Sequence, residues 1–266
     1  MRMTLRSRRI LNTRNMNKLL LHPLPDNVTA FSTTRAAGGN GVHPWRVREN
    51  CRLVAGMLGI SDDRLIVPRQ THTTNILPID ENFLQLGPEE RLALLEEKDA
   101  LVTHLPDVCV CVSTADCIPV LCYDARQRVV AVVHAGWRGT CAGIVRRTCD
   151  LLRQRYGSRG EDLHALIGPG ISLESFEVGD EVYEAFQAQG FDMDSLARRF
   201  HSADSPSGKW HIDLWECNRR QLLSFGVPSS QIRISGICTV QHSDTFFSAR
   251  RLGLHSGRIL NGIIMR

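Results

Sequence analysis

The chain has 266 residues, of which 42% are hydrophobic and 23% are charged, a composition typical of a globular protein. No apolar run approaches the roughly 20 residues that a bilayer-spanning helix needs, so we predict no membrane span. The net charge of +4 is modest, and its distribution along the chain matters more than its size.

Residues 1–18 form a basic segment that holds six arginine or lysine residues and no acid. It lacks the apolar core of a secretory signal. A basic end can bind nucleic acid or a membrane, but short basic ends are more often disordered surface. We therefore predict a disordered tail over 1–18, a folded domain over 19–266, and neither a nucleic-acid nor a membrane partner.

The nine cysteines indicate the compartment. Their number is odd, no two are spaced as Cys-x-x-Cys, and most stand in apolar patterns, where cysteine behaves as a small buried hydrophobe. A disulfide framework is therefore disfavoured, and a cytoplasmic location is predicted.

In the first half of the chain, apolar periodicity predicts short strands separated by helices and turns. The predicted strands cover 29–33, 65–67, 75–79, 99–103 and 108–114. A glycine-rich turn is predicted at 38–41, and helices are predicted at 46–58 and 88–98.

The centre of the chain is the most regular part. Two β-rich runs at 118–123 and 129–134 are joined by a short turn, which is typical of a hairpin. A glycine-rich break at 136–139 leads into an amphipathic helix at 140–156. The elements predicted beyond it are helices at 179–188, 193–200 and 210–225 and strands at 164–167, 232–237 and 246–251.

Strands and helices mingle in this pattern without a clean βαβ repeat. We therefore predict the α/β class in its mixed α+β form: a single-domain layered sandwich with mixed β-sheets and flanking helices.

The predicted hairpin brings Cys117 and His134 to its open end. If its turn is centred between residues 125 and 126, these two residues are directly opposite each other, with Cβ atoms about 5 Å apart. A slip of one residue would place them on opposite faces. His72, in the polar run at 70–74, is the best candidate for a third ligand.

Two imidazoles and a thiolate favour zinc, although copper binds them too. Three protein ligands leave a fourth position for water or substrate, as in catalytic zinc sites. On spacing alone, a His and a Cys with purely structural roles are the alternative.

Two further features suit a small-molecule pocket. The segment 136–140 leads into a helix, so its N–H groups and Arg138 could hold an anion. The alternative is a glycine turn with Thr140 as the helix N-cap. Asp116 could orient a ligand or move a proton, or it could only stabilise a turn.

Several strings together resemble the YfiH-type multicopper polyphenol oxidase (laccase-domain) family, whose members are described as purine nucleoside phosphorylases. They follow the order of the family from about residue 19 to the C-terminus. The strings are Phe31-Ser32-Thr33-Thr34-Arg35, Gln70-Thr71-His72, Asp99-Ala100-Leu101-Val102-Thr103, Thr114-Ala115-Asp116-Cys117-Ile118-Pro119, His134-Ala135-Gly136-Trp137-Arg138-Gly139-Thr140, Ile167-Gly168-Pro169-Gly170-Ile171 and Phe247-Ser248-Ala249-Arg250-Arg251.

The resemblance implies a catalytic α/β sandwich over 19–266 with one zinc per chain, held by His72, Cys117 and His134. The implied reaction is the phosphorolysis of adenosine, inosine or methylthioadenosine to the free base and a ribose 1-phosphate, with deamination of adenosine as a second activity. Catalytic roles are expected for Asp116 and Arg138. Substrate or phosphate contacts are expected for Gln70, Gly136, Gly139, Thr140 and Arg250.

Three departures from the family pattern stand out. Thr73 replaces a usual glycine, Ala249 replaces a usual tyrosine, and a stretch usually found near 39–47 is missing. None of them touches the three expected ligands.

Other functions remain open at this stage. A copper-dependent polyphenol oxidase would need histidines in paired motifs, and the ten histidines show no His-x-His pair. A hydrolase with Cys117 as nucleophile and His134 as its base would use the same two residues without metal. A nucleotide-binding or stress-partner module would bind without turnover. The sequence leaves the oligomeric state open, a monomer included.

Overall fold

The computed structural model describes residues 17–25, 27–38, 44–202, 205–253 and 255–266. Most of the predicted tail, and all but Gly38 of the predicted turn at 38–41, lie outside these residues. Each of the described helices is too short or too polar to span a bilayer.

The strands are short. In chain order they are β1 (Leu19–His22), β2 (Val28–Thr33), β3 (Leu65–Ile66), β4 (Ile76–Ile79), β5 (Ala100–Thr103), β6 (Cys109–Thr114), β7 (Ile118–Asp124), β8 (Val129–Ala135), β9 (Leu163–Ile167), β10 (Glu177–Val178), β11 (Ala197–Ser202), β12 (Ser205–Ile212), β13 (Ile232–Ile234) and β14 (Ile259–Met265).

The α-helices lie between the strands. In chain order they are α1 (Pro44–Leu58), α2 (Glu81–Gln85), α3 (Pro88–Leu95), α4 (Trp137–Cys141), α5 (Ile144–Tyr156), α6 (Asp180–Ala188), α7 (Met193–Leu196), α8 (Leu214–Phe225) and α9 (Ala249–Leu252).

The strands form three sheets. One has the order β1-β2-β14-β6-β3, a second has β13-β9-β7-β8-β5-β4, and a small third has β10-β12-β11. The two large sheets are mixed, because β3–β6, β4–β5 and β9–β13 pair in parallel while their other pairs are antiparallel. This confirms the predicted mixed sheets.

Alternating residues of β8 show how the layers pack. Val130 and Val132 face a core that β6 and β14 of the five-stranded sheet share. Ala131 and Val133 face a core that α5 and α8 share. On its other side the five-stranded sheet is covered by α1. The predicted layered sandwich is therefore confirmed, with its layers in the order helix, sheet, sheet, helix.

The central hairpin forms as predicted, but its register differs by two residues. His134 is opposite Pro119, and Ala135 is opposite Ile118, so the turn is centred one residue later than expected. Because side chains alternate with a period of two, a shift of two leaves Cys117 and His134 on the same face. The predicted direct opposition is wrong, but the shared face is right.

The predicted helix at 140–156 begins earlier and is broken. Helix α4 starts at Trp137, with Gly136 as its N-cap, so the predicted break at 136–139 is mostly helical. Gly143 then adopts φ +75°, which separates α4 from α5. Thr140 is therefore inside a helix and is not an N-cap.

Three predictions in the C-terminal half are wrong. Residues 193–200 are helical only to Leu196 and continue as β11, which pairs with β12. The helix predicted from 210 starts at Leu214, because Asp213 caps it by accepting a hydrogen bond from the Glu216 N–H. Residues 246–251 contain the start of α9 rather than a strand. The strand β14 was not predicted.

Candidate metal centre

Three side chains from separate segments meet at one end of the six-stranded sheet. Cys117 stands just before β7, His134 is near the end of β8, and His72 lies in the loop that leads to β4. One donor atom from each lies within 4.8 Å of the others, and Cys117 Sγ is 4.0 Å from His72 Nε2. The structure thus brings together the three residues predicted as metal ligands.

A buried carboxylate that the sequence analysis did not single out organises this end of the sheet. Asp99 precedes β5, and the β5–β8 register continues to place it beside His134, whose N–H donates to the Asp99 carbonyl at 2.7 Å. The Asp99 side chain is fully buried. Its Oδ1 lies 2.7 Å from His134 Nδ1. This contact directs Nε2, the other ring nitrogen, toward the donor cluster.

The same carboxylate builds the loop that carries His72. It accepts hydrogen bonds from the backbone N–H groups of Thr71, His72 and Thr73, at 3.3, 3.0 and 2.7 Å. The Thr73 hydroxyl adds a bond of 2.8 Å. His72 itself adopts φ +64°, an uncommon conformation for a residue with a side chain. Asp99 therefore positions both histidines at once.

Cys117 and His134 shift each other's pKa. Burial alone would raise the pKa of the Cys117 thiol, but His134 and His72 lower it to about 6. Burial alone would lower the pKa of His134, but Cys117 and Asp99 raise it to about 9. Burial also opposes ionisation of Asp99, yet the hydrogen bonds from His134 and Thr73 lower its pKa to about 2. The cluster therefore offers a thiolate, which is the form that binds metal.

Gly136 has no side chain, and this absence gives the donor cluster the room it occupies. A Cβ atom at this position would lie 3.1 Å from Cys117 Sγ and 3.1 Å from His72 Cδ2. These are crowded distances, so any side chain here would push against two of the three donors. Gly136 was predicted as a phosphate contact, and the structure places it beneath the donor cluster.

A cleft of ≈ 390 Å³ opens beside Cys117. Its apolar wall consists of Trp137, Ile171, Phe176 and Leu214. Such a cleft has the size and the lining of a small-molecule site. Because Cys117 belongs to both, a ligand in the cleft would reach the donor cluster.

Asp116 and Arg250 form another part of the cleft lining. The Asp116 carboxylate accepts hydrogen bonds from the Thr239 hydroxyl at 2.6 Å and from the Arg250 N–H at 2.7 Å. The Arg250 guanidinium donates to the carbonyls of Ser175 and Glu177. Through these contacts the Asp116 side chain links two loops, as the turn-stabilising alternative predicts. The Arg250 guanidinium has further N–H groups that can donate to a ligand.

Three other residues predicted to contact the ligand have partners within the protein. The Gln70 side-chain amide accepts a hydrogen bond from the Ser113 N–H and donates one to the Ser113 carbonyl. Thr140 is fully buried, with its hydroxyl on the Ala135 carbonyl and Asn218. Gly139 is buried in α4 against Ile144. The structure therefore gives these three residues packing or bracing contacts.

Arg138 is exposed on α4, with its guanidinium 4.2 Å from the centre of the Trp137 ring. Trp137 lines the cleft, whereas Arg138 is not among the lining residues. A ligand anion would have to extend to the mouth of the cleft to meet Arg138.

Residues 29–266 match the family model described as multi-copper polyphenol oxidoreductase laccase. The chain belongs to this family. It is 48% identical over 252 residues to a purine nucleoside phosphorylase of Bacteroides thetaiotaomicron, a match that covers 90% of this chain and 92% of that protein. It is 40% identical over 251 residues to adenosine deaminase RL5 from an unknown prokaryotic organism, covering 90% and 94% of the two chains.

Solved structures confirm the fold. The crystal structure of the Bacillus licheniformis hypothetical protein YfiH aligns with a TM-score of 0.84 at 28% identity, over 95% of this chain and 98% of that one. YlmD from Geobacillus stearothermophilus aligns with a TM-score of 0.82 at 28% identity, over 94% and 96% of the two chains. The predicted YfiH-type family is thus confirmed.

Proposed function

We propose that this protein is a zinc-dependent purine nucleoside phosphorylase that also deaminates adenosine. The observation that carries the proposal is the convergence of His72, Cys117 and His134 within 4.8 Å beside a cleft of nucleoside size. The names of two relatives, a purine nucleoside phosphorylase and an adenosine deaminase, supply the reaction class.

The donor chemistry fits zinc. His72, Cys117 and His134 would hold the ion, which supplies Lewis-acid chemistry when bound. Asp99 keeps His134 and the His72 loop in place, so the two imidazoles are arranged before the ion binds. The apolar wall of the cleft would hold the planar base, and Arg250 offers a cation to the phosphate.

Arg138 is the second cation proposed for phosphate. If it contacts phosphate at the cleft mouth, Arg138→Ala should weaken phosphorolysis by roughly 10- to 150-fold, since a hydrogen bond to a charged group contributes about 1.5–3 kcal/mol. Zinc content should not change, because Arg138 lies outside the donor cluster. Phosphate-dependence curves of the wild type and the variant check this, and an unchanged phosphate KM would leave Arg138 with only its contact to Trp137.

A cysteine hydrolase is the second candidate, and the thiolate–imidazolium pair of Cys117 and His134 favours it. The variant Cys117→Asp separates the two. A carboxylate is a poorer but acceptable zinc ligand, whereas it cannot replace a thiolate in covalent catalysis on acyl groups. We expect this variant to keep measurable zinc and some nucleoside turnover.

The central experiment combines metal analysis with product analysis. The purified protein should carry about one zinc per chain, and alanine at His72, Cys117 or His134 should remove most of it. Adenosine with phosphate should give adenine and ribose 1-phosphate, and without phosphate it should give inosine. A chelator should abolish both reactions and added zinc should restore them. Copper at full occupancy with phenol oxidation would support the oxidase instead, and full activity after metal removal would support the hydrolase.

A further inference from the structure

Two polar side chains meet in the core that α5 and α8 share with the six-stranded sheet. They are Asn218 of α8 and Thr140 of α4, and both are fully buried. The Asn218 amide nitrogen donates to the Leu214 carbonyl at 2.8 Å and to the Thr140 hydroxyl at 3.1 Å. That hydroxyl donates to the Ala135 carbonyl at 3.2 Å and lies 3.4 Å from the Asn218 carbonyl oxygen. These bonds, termed the Asn218–Thr140 link, run from Leu214 to Ala135.

Both ends of the Asn218–Thr140 link belong to the candidate site. Leu214 lines the cleft. Ala135 ends β8 and stands between His134, a proposed metal ligand, and Gly136, which lies beneath the donor cluster. The Thr140 N–H also donates to the Gly136 carbonyl at 2.8 Å. Thr140 therefore holds two successive carbonyls at the donor-bearing end of β8, while Asn218 connects it to a residue of the cleft.

A second polar side chain of α8 holds the same region. Gln221 lies almost one helical turn after Asn218 and is also buried. Its amide nitrogen donates to the Thr140 carbonyl at 3.0 Å, and its amide oxygen accepts from the Arg146 N–H at 3.1 Å. Helix α8 thus bonds to α4 and to the first turn of α5, so α4 cannot slide along α8 without breaking these bonds.

The chemistry of the Asn218–Thr140 link favours a role in geometry over one in stability. Helix α8 already packs on the core through apolar side chains, among them Leu222 and Phe225. Replacing both partners of a buried hydrogen bond by apolar groups of the same shape can be nearly neutral for stability. A hydrogen bond differs from an apolar contact because it has a set distance and direction. A buried polar network therefore specifies one arrangement of the core.

We propose that Asn218 is a positioning residue that keeps the cleft at Leu214 aligned with the donor cluster at the end of β8. This inference rests on the proposed function, because the alignment matters only if a substrate in the cleft reacts at the donor cluster. Asn218 is fully buried, so it acts through Thr140 and Leu214 and touches no ligand. A displacement of about 1 Å between reacting groups can cost on the order of 100-fold in rate.

The test compares Asn218→Leu, Thr140→Val and the double variant in the full-length zinc-loaded protein. Each change breaks the Asn218–Thr140 link, so kcat/KM for phosphorolysis of adenosine should fall by about 10- to 100-fold and to a similar extent in all three. The loss should lie mainly in kcat, because the side chains that line the cleft are unchanged. Zinc should stay at about one per chain, since the three donors and Asp99 are intact.

Stability should follow a different order in the same variants. Thr140→Val leaves one N–H group of the buried Asn218 amide without its acceptor, so its urea midpoint should fall. The double variant removes both polar groups and should regain most of that loss, while its kcat/KM stays low. A merely structural role would restore kcat/KM together with stability, and that result would overturn the proposal.

Thr148→Val is the matched control. Thr148 is a buried threonine of α5 whose hydroxyl donates only to the Ile144 carbonyl of its own helix. This variant loses the same atoms as Thr140→Val and should keep the wild-type kcat/KM. An equal loss of kcat/KM in Thr148→Val, or no loss in Asn218→Leu, would overturn the role of Asn218.

Two further outcomes are kept apart by the design. If Thr140→Val does not fold, Asn218→Leu and the double variant still decide the result. If the zinc-loaded wild type shows no turnover of adenosine, the proposed function falls and this inference falls with it. Wild-type turnover with unchanged kcat/KM in the variants would instead overturn the inference alone.

Discussion

At the scale of single residues, Cys117 and His134 form a thiolate–imidazolium pair when no metal is bound. The pKa of the thiol is lowered to about 6 and that of the imidazole is raised to about 9. A lowered thiol pKa means that the thiolate persists as the pH falls and is lost only near pH 6. A raised imidazole pKa means that the positive charge persists until the pH rises through about 9. Both charges are therefore present between these two values.

Alkylation measures this pair directly. In chelator-treated protein, the rate at which iodoacetamide modifies Cys117 should change little between pH 8 and about 7, and it should fall to half near pH 6, where the thiol pKa lies. Cys51 and Cys141 serve as internal controls, because burial raises the pKa of both thiols. Mass spectrometry of the labelled peptides checks the result. A Cys117 midpoint near the ordinary thiol value of about 8.5 would show that the pair does not form.

Gly136 gives a second prediction at this scale. Gly136→Ala places a Cβ atom 3.1 Å from both Cys117 Sγ and His72 Cδ2, so these two side chains must shift by a few tenths of an ångström. We expect at least a tenfold loss of zinc affinity, about 1.4 kcal/mol, measured by competition with a chromophoric chelator. Gly56→Ala is the control, because a Cβ there meets nothing within 4 Å. Equal affinity in the two variants would show that the cluster tolerates the extra atom.

At the scale of elements, the metal centre depends on how one loop and two strand ends are joined through Asp99. Asp99→Asn keeps the shape of the side chain but loses the charge, and its amide nitrogen cannot accept from the N–H groups of Thr71 and Thr73. We expect roughly 10- to 100-fold weaker zinc binding. The imidazole nitrogen NMR shifts of His134 should also change, which a purely structural role would not require.

Thr73→Val is the matched control for Asp99. It removes the hydroxyl bond to the carboxylate, together with the bonds that this hydroxyl donates to the Glu97 carbonyl and accepts from the Asn75 N–H. The three N–H bonds to the carboxylate and the bond to His134 stay in place. Its zinc affinity should fall less than that of Asp99→Asn. An unchanged affinity and an unchanged His134 signal in Asp99→Asn would contradict the positioning role.

The three donors of the site could be predicted from the sequence, whereas the carboxylate that positions two of them could not. The three donors were predicted from a hairpin, a polar run and a family resemblance, and the structure places them together. Asp99 was missed, although it stands directly before an apolar strand, because its importance comes from a cross-strand neighbour and from a distant loop. The protein partners of Gln70 and Thr140 could not be predicted for the same reason, since these partners, Ser113 and Asn218, are remote in sequence.

The predicted element boundaries are wrong where the local sequence pattern and the tertiary contacts favour different structures. The capping pattern Asp213-x-x-Glu216 marks the start of α8 and was available in the sequence. The end of α7 was less visible, since residues 197–200 become strand only by pairing with β12. Strand β14 contains Asn261-Gly262, a dipeptide typical of turns. The Asn261 side chain instead bonds to Ser32 and Thr114 inside the sheet.

At the scale of the whole molecule, Gly262 tests the importance of β14. A Cβ atom at this position would lie 2.5 Å from Phe31 Cζ and 2.6 Å from Cys111 Sγ, so neighbours on both sides must move. Gly262→Ala should lower the free energy of unfolding by about 1–3 kcal/mol. Urea unfolding followed by circular dichroism checks this. Gly56→Ala, in an exposed helical position, should be neutral or stabilising, and equal midpoints for the two variants would refute the expectation.

The position of β14 also determines when the five-stranded sheet can form during synthesis. It lies between β2 and β6 in the five-stranded sheet, although it follows both by well over a hundred residues. A ribosome releases the chain from its N-terminus, so β2 and β6 leave the exit tunnel long before the strand that joins them. The five-stranded sheet must therefore close after synthesis has reached residue 265. Because β6 runs into the segment that carries Cys117, we expect a nascent chain stalled before β14 to bind zinc poorly.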